Sequence, residues 1–455
     1  MNISQEKVDE LNAVVRIEFS PSDYQPKIDE QLKEYARKVQ MPGFRPGKVP
    51  FGMVRKMYGK SILVDQLNKL TSDTLFSFIR ENNLDVLGNP LPKPENDMAL
   101  DLENPGNIKL AFELGLAPSF TIDISSNHSF NLYTMKADDK YIGEIVNDYR
   151  VRLGEKAEAD SFSEENDVLH GDLIELNEDG SIKEAGFEKH VHFSFPDFKS
   201  GNGAEVFRNM KAGEEKEVNL HEAIVNQAVI AAILGVKKEE AEQLSNRFLF
   251  KAESIQRPVP AELNQDFFDK LLGPGVVTSE AELQNRIAED ASKRYRKDSE
   301  NRLFNEVVEH LVSNTSFNLP DEFLKRWLVS QNEGKVNPGD IDQNYSNYSK
   351  GIRWQLIEQK LIKENSINIT SDQVLDAFTE DFLAYMGAPG TEDELMRERA
   401  AEIAKSMMKN EQEVNKVYDR LYNEALTTLF LSGFDIKTIE LSFDKWVEQM
   451  NKPLN

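Results

Sequence analysis

Gly43-Phe44-Arg45-Pro46-Gly47-Lys48-Val49-Pro50 joins two helical patterns and has unusual chemistry for a turn. Gly43 and Gly47 admit positive φ, while Pro46 and Pro50 fix φ, so the string predicts an exposed, fairly rigid loop tip. The tip lifts one aromatic ring and two cations, Arg45 and Lys48, into water. Phe44 has no periodic apolar neighbours to cover it, which marks it as a binding element. The competing reading folds Phe44 back as a hydrophobic staple and leaves the cations to keep the loop soluble.

Before the tip, Ile28, Leu32, Tyr35, Ala36 and Val39 fall at i, i+4, i+7, i+8 and i+11 and predict a helix, begun at Ser20-Pro21-Ser22-Asp23 and ended by Met41-Pro42-Gly43. After it, Pro50 suits the first turn of a second helix, which carries Val54, Met57, Leu63, Leu67, Leu70, Phe78 and Ile79 to about Glu81. Apolar residues alternate from Leu11 to Phe19 and from Ile108 to Leu114, predicting two strands. Pro90, Pro92 and Pro94 read as a stiff connector. The first 117 residues therefore form an α+β domain.

The chain has 455 residues and a formal net charge of −25. Between Gln31 and Lys60, however, Lys33, Arg37, Lys38, Arg45, Lys48, Arg55, Lys56 and Lys60 face Glu34 alone, a local balance of +7. A cationic patch on an acidic body implies one oriented contact with an anionic partner. The absence of Cys excludes thiol nucleophiles, disulfides and thiolate metal sites. The N-terminus lacks a basic segment followed by an apolar core, and no run of about 18 apolar residues occurs. A soluble cytoplasmic protein without membrane contact is expected.

Further along, a strand-like stretch at Phe120 to Ile124 and a helix from about Asp138 to Leu153 lead into a mainly β segment. Its strand candidates are Asp172 to Leu176, His190 to Phe195, Lys216 to Leu220 and Phe248 to Ser254, with a helical insertion from Ala223 to Leu244. After Arg257-Pro258-Val259-Pro260 the pattern is helical almost to the end. Thr370 and Gln373 match a capping box before Val374, Leu375, Phe378 and Phe382.

The helix, the string G-F-R-P-G-K-V-P and the second helix together resemble the ribosome-docking signature of the bacterial trigger factor family, chaperones that meet nascent chains at the exit tunnel. The likeness extends over the whole chain, with the Lys211-Ala212-Gly213-Glu214-Glu215 turn and the re-entry from Arg257 to Gly273 similar to the family's own punctuation. It implies an α+β multidomain protein: a ribosome-binding domain at 1–117, a linker strand and helix at 118–154 packing with the C-terminal domain, a small inserted domain similar to FK506-binding proteins at 155–256, and an all-α chaperone domain at 257–455. The family's exposed Phe-Arg-Lys triplet falls on Phe44, Arg45 and Pro46; the first two match, and the third cation arrives two places later, at Lys48.

The partners so implied are the large ribosomal subunit, through an exit-tunnel protein and rRNA, and nascent or unfolded polypeptides, with a homodimer off the ribosome. Lys33, Arg37, Lys38, Arg55 and Lys56 would face rRNA phosphates, although a solvated helix face explains them equally. Phe323, Trp327, Phe378, Phe382, Tyr385 and Met386 are the peptide-binding candidates, and each also suits helix core.

The family's middle domain isomerises X-Pro bonds in an aromatic-lined pocket, without nucleophile, metal or cofactor. Where the family has a Pro-Gly-Phe-Glu-like run, this chain reads Gly201-Asn202-Gly203-Ala204, and a helix-like stretch from Val225 to Leu234 replaces a Tyr-containing loop. A degenerate, weak or inactive isomerase is expected. Phe193, Phe195, Phe198 and Phe207 either line a different pocket or fill the core. His190 and His192 share a strand face, permitting metal in principle, but a solvent-facing pair is expected and no metal site is assigned. No phosphate-cradling Gly loop supports ATP-driven action. The expected function is ATP-independent chaperoning; the competing readings are a prolyl isomerase first and a general RNA-binding module second.

Overall fold

Ala13, Val15, Ile17 and Phe19 are each 1% exposed or less, so every second residue of one strand supplies the spine of the N-terminal core, with Val14 between them also buried. The computed structural model describes all residues except 41, 43, 45–48, 95–104, 200–202, 333–335, 389 and 455. It divides into two compact units: Met1–Leu132 with Glu300–Lys437 and Pro453–Asn455, and Tyr133–Ser299 with Thr438–Lys452.

The first unit opens with β1 (Asn2–Lys7), β2 (Asn12–Phe19), α1 (Pro21–Lys38), α2 (Phe51–Glu81), β3 (Val86–Pro92) and β4 (Ile108–Leu116). The sheet is antiparallel in the order β1-β2-β4-β3. Tyr24, Ile28 and Leu32 of α1 and Val54, Leu63 and Leu67 of α2 join its buried face. Val39 and Val49 are buried in the same cluster and close the neck of the helical hairpin.

Two of these strands were not expected. β1 carries no clean alternation and pairs only with β2. Pro90 and Pro92 belong to β3 rather than to a connector, which the sheet tolerates because β3 is an edge strand whose register on β4 slips between Leu87 and Leu91. The strand expected at Phe120 to Ile124 is absent; those apolar side chains pack against a core without joining a ladder. The next strand is β5 (Ser129–Met135), followed by α3 (Asp139–Arg152).

The inserted region holds β6 (Glu155–Glu158), β7 (Val168–Glu175), β8 (Glu188–Ser194), β9 (Glu215–Asn219), the short helices α4 (Leu220–Ala223), α5 (Gln227–Leu234) and α6 (Lys238–Ala241), and β10 (Arg247–Val259). Its sheet runs β6-β10-β7-β8, with β9 also on β10. The single insertion helix expected from Ala223 to Leu244 is thus replaced by two short helices, α5 and α6, with α4 ending at its first residue. Asn226 caps α5 by accepting from the Ala228 and Val229 amides at 3.0 and 3.1 Å, and Gly235 ends it at φ +65°.

Two buried carboxylates bracket β7. Asp167 accepts from Arg257 Nε at 2.6 Å and from the Ser163 and Glu164 amides at 2.9 and 2.8 Å. Glu175 accepts from Lys183 at 2.7 Å and from the Phe187 and Ser245 amides at 2.9 and 2.8 Å. Burial alone would raise both pKa values, but these donors outweigh it and hold both carboxyls below their ordinary range.

The remaining elements are α7 (Gln265–Leu272), α8 (Glu280–Asn314), α9 (Asp321–Gln331), α10 (Pro338–Glu364), α11 (Ser371–Tyr385), α12 (Glu394–Met407), α13 (Glu411–Gly433), β11 (Asp435–Leu441) and α14 (Phe443–Met450). The predicted capping box forms: the Thr370 amide donates to Gln373 Oε1 at 2.8 Å. β11, which pairs with β5, interrupts the helical run expected there. In the second unit, Ile142, Ile145, Val146 and Tyr149 of α3 pack with Phe267, Phe268, Leu283 and Ile287. In the first, α9 seats on the N-terminal sheet. Phe323 lies so close over Gly115 that a Cβ there would come within 2.5 Å of its ring, and Arg326 pairs with Glu113 at 2.6 Å.

Candidate functional site

The α1–α2 hairpin ends in an apolar and cationic tip. Phe44 is 38% exposed and belongs to no buried cluster, because the neck beneath it is already filled by Val39 and Val49. Pro42 and Pro50 beside it are exposed too. Gly43, Arg45, Pro46, Gly47 and Lys48 lie outside the described residues. Lys33, Arg37, Lys38 and Lys56 are exposed along the hairpin and Arg55 is half-buried.

The tip is larger than the loop. Tyr35, Phe51, Met53 and Met57 are exposed as well, and the rings of Tyr35 and Tyr58 lie 4.8 Å apart. Tyr35 and Met57 were expected on the inward stripes of their helices, whereas the structure turns both outward. Phe51 and Met53 were missed. The signal for Met53 was its position four residues before Met57 and one before the buried Val54, which puts the Met pair on a different face from the core.

In the inserted domain the aromatics are used differently. Phe193, Phe198, Phe207 and Phe250 are all buried, with Phe193 and Phe207 stacked at 5.0 Å and Phe250 edge-on to both at 5.1 and 5.3 Å. Phe195 is half-buried and stacks on Phe162 at 4.3 Å. These rings fill one another's space as a core. Ala204 is buried, and residues 201 and 202 of the altered run lie outside the described residues.

His170, whose neighbours the sequence alone did not identify, sits opposite His192 on the outward face of β7 and β8, its ring 6.0 Å from His192 and 6.2 Å from His190. His190 Nδ1 lies 3.1 Å from Asp172 and 3.4 Å from Glu253. Burial first, then the neighbouring imidazoles His192 and His190, push the His170 pKa down. Among the described residues no group of three His, Asp or Glu is arranged to hold a metal ion.

The peptide-binding candidates separate by burial. Phe323, at 2% exposure, and Phe378 are core side chains and offer no surface in this structure. Trp327 and Phe382 are half-buried. Tyr385, 86% exposed, and Met386 project at the end of α11, and α12 continues the surface with exposed Leu395, Met396, Ile403 and Met407. That α12 stretch was not singled out from sequence. Its apolar residues alternate with Glu and Arg at helical spacing and read as an ordinary packed face until the structure shows nothing covering them among the described residues.

Comparison with known proteins adds the following. Three family models match in order along the chain: "Bacterial trigger factor protein (TF)" over residues 1–149, "Probable trigger factor, FKBP-like domain" over 156–260, and "Probable trigger factor, C-terminal domain" over 299–450. Similar relatives include the trigger factor of Chlorobaculum parvum, 24% identical over 82% of this chain and 85% of the relative. The trigger factor of Francisella tularensis subsp. mediasiatica is 22% identical over 94% of this chain and 95% of the relative. A solved structure described as "Promiscuous Substrate Recognition in Folding and Assembly Activities of the Trigger Factor Chaperone" shares the fold with a TM-score of 0.53 at 14% identity, over 95% of this chain and all of that one. Among the described residues, no helix is long and apolar enough to cross a membrane.

Proposed function

The chain belongs to the bacterial trigger factor family of ribosome-associated chaperones, and we propose that its α1–α2 tip docks it on the large ribosomal subunit beside the exit tunnel, in the cytoplasm, while its helical domain holds emerging polypeptide. The observation that carries this reading is the exposure of Phe44 on a cationic hairpin of an acidic molecule. Phe44 enters an apolar pocket of an exit-tunnel protein, and Arg45 pairs with a carboxylate or phosphate. Lys33, Arg37, Lys38, Arg55 and Lys56 meet rRNA phosphates, which makes the contact salt-dependent. The −25 net charge repels the rest of the molecule from RNA and so orients it.

Holding a client takes no nucleotide. Exposed Tyr385, Met386, Leu395, Met396, Ile403 and Met407 offer adaptable apolar contacts, and Met side chains repack around varied sequences. Off the ribosome the same sticky tip is available for a homodimer. The inserted domain adds binding surface with weak or no isomerase turnover, since its Phe residues are spent on packing.

The deciding experiment pellets ribosomes with the wild-type chain and with the Phe44→Ala, Arg45→Ala double variant. Saturable pelleting of the first and none of the second is expected; equal pelleting overturns docking through this tip.

A further inference from the structure

With twelve Met and no Cys, the chain has thioethers as its only sulfur. Met135 and Met210 are core side chains at 4% and 0% exposure, whereas Met386 is 61% exposed and Met396 and Met407 are 42% exposed each. The last three belong to one surface. Ile403 and Met407 lie seven and eleven residues after Met396, close to two and three helical turns, so the three run along a single stripe of α12. The stripe borders the seam of buried Ala400 and Ala404, of which Ala404 packs with Val374, Phe378 and Val417. Met386 follows exposed Tyr385 at the α11 end of the turn that leads to α12.

We propose that Met386, Met396 and Met407 are reversible oxidation sites, at which a hydroperoxide turns the client-holding surface from apolar to polar. The thioether sulfur attacks one peroxide oxygen, an S–O bond forms as the O–O bond breaks, and sulfur gives up two electrons. The other oxygen leaves with the proton, as water or an alcohol. The proposal rests on the reading of this surface as the one that holds clients, and it names what turns that surface off. A thioether is apolar and adapts to varied side chains, but its sulfoxide is polar and stays hydrated. Leu395 and Ile403 supply apolar contact without sulfur; Met adds a group that peroxide can change and a sulfoxide reductase can restore. Since these sulfurs stand outside the packed core, oxidation alters the surface and spares the fold.

The test exposes the full chain to graded hydrogen peroxide, removes the oxidant and maps sulfoxides by peptide mass spectrometry. The surface is read by emission of the apolar dye bis-ANS, and holding by light scattering of a denatured reporter protein diluted into the chain. Sulfoxides at Met386, Met396 and Met407 should precede any at Met135 and Met210. Dye emission should then fall, about tenfold more chain should be needed to suppress scattering, and the melting temperature should not move. A methionine sulfoxide reductase should reverse both losses. Met53 and Met57 are exposed too and will oxidise in parallel, so the Met386→Leu, Met396→Leu, Met407→Leu variant isolates this surface. It should hold the reporter as wild type does and ignore the peroxide. No early oxidation at the three positions, oxidation without loss of dye emission, or an equal loss in the Leu variant would each overturn the proposal. Failure of the client reading looks different: Leu395→Ser with Ile403→Ser would hold the reporter undiminished, while the peroxide-dependent fall in dye emission, absent from the Leu variant, would persist.

Discussion

The α1–α2 hairpin and the inserted domain are both marked by aromatic residues, and they place them in opposite ways. At the hairpin, Tyr35, Phe44, Phe51, Met53 and Met57 stay at the surface because Val39 and Val49 already close the neck and a two-helix hairpin has no further layer to cover its end. In the inserted domain, Phe193 and Phe250 alternate inward on β8 and β10, and Phe198 and Phe207 pack down on them. The same residue type stays exposed where the local geometry ends in solvent and packs where two layers meet. Aromatic content therefore says little about activity until the covering layer is known.

The comparison can be strained from its strongest arm downward. Phe207→Ala removes a fully buried ring packed against those of Phe193, Phe198 and Phe250 and should destabilise the inserted domain by about 3–5 kcal/mol, read by chemical denaturation. If that domain is a packed core and not a working pocket, the wild-type chain should also give little turnover in a protease-coupled proline-peptide assay. Robust turnover that Phe207→Ala abolishes without unfolding would reverse the contrast.

Arg257→Ala leaves the Asp167 carboxylate buried without its cation and should cost about 3 kcal/mol. The sign of the pH effect follows from the depressed folded pKa. The stabilisation is complete above the ordinary value of 3.8 and drains away as pH falls through the lower folded value, so acid unfolding of wild type, followed by circular dichroism, should be steeper than that of Asp167→Asn.

His170 gives a milder test at higher pH. Its folded pKa is lowered, so the unfolded chain takes the proton first, and stability should begin to fall as pH drops below about 6.5 and level off once the folded form protonates. His170→Gln should flatten that slope in melting temperature against pH. Smallest of all, Met53→Ser with Met57→Ser should change stability by less than about 0.5 kcal/mol, since both side chains are already in water. A measurable weakening of ribosome pelleting in the same variant would show that the docking surface extends down α2 beyond the loop.

Much of this was legible from local pattern. The strands around Val15 and Leu110, the hairpin helices, the Thr370 capping box and four strands of the inserted sheet announce themselves in the local sequence, whereas β6, which pairs with β10, does not. What failed was of another kind. β1 and β11 exist because a neighbour offers an edge to pair with, and Phe120 to Ile124 stays out of a ladder because none is offered. The insertion helix broke at Asn226 and Gly235, a cap and a left-handed turn that were present in the sequence but outweighed by its apolar run.

By itself, then, the order of residues determined most of the helices and the alternating strands, the charged tip on an acidic body and the absence of thiol chemistry, because alternation, helical spacing and composition are properties of neighbours along the chain. Only tertiary structure decided that Phe323 and Trp327 close over Gly115 and Gly88, that His170 meets His190 and His192, and that Met53 and Met57 remain uncovered. Which face of an element is buried depends on what segment, far away in sequence, arrives to cover it, and no local period encodes that arrival.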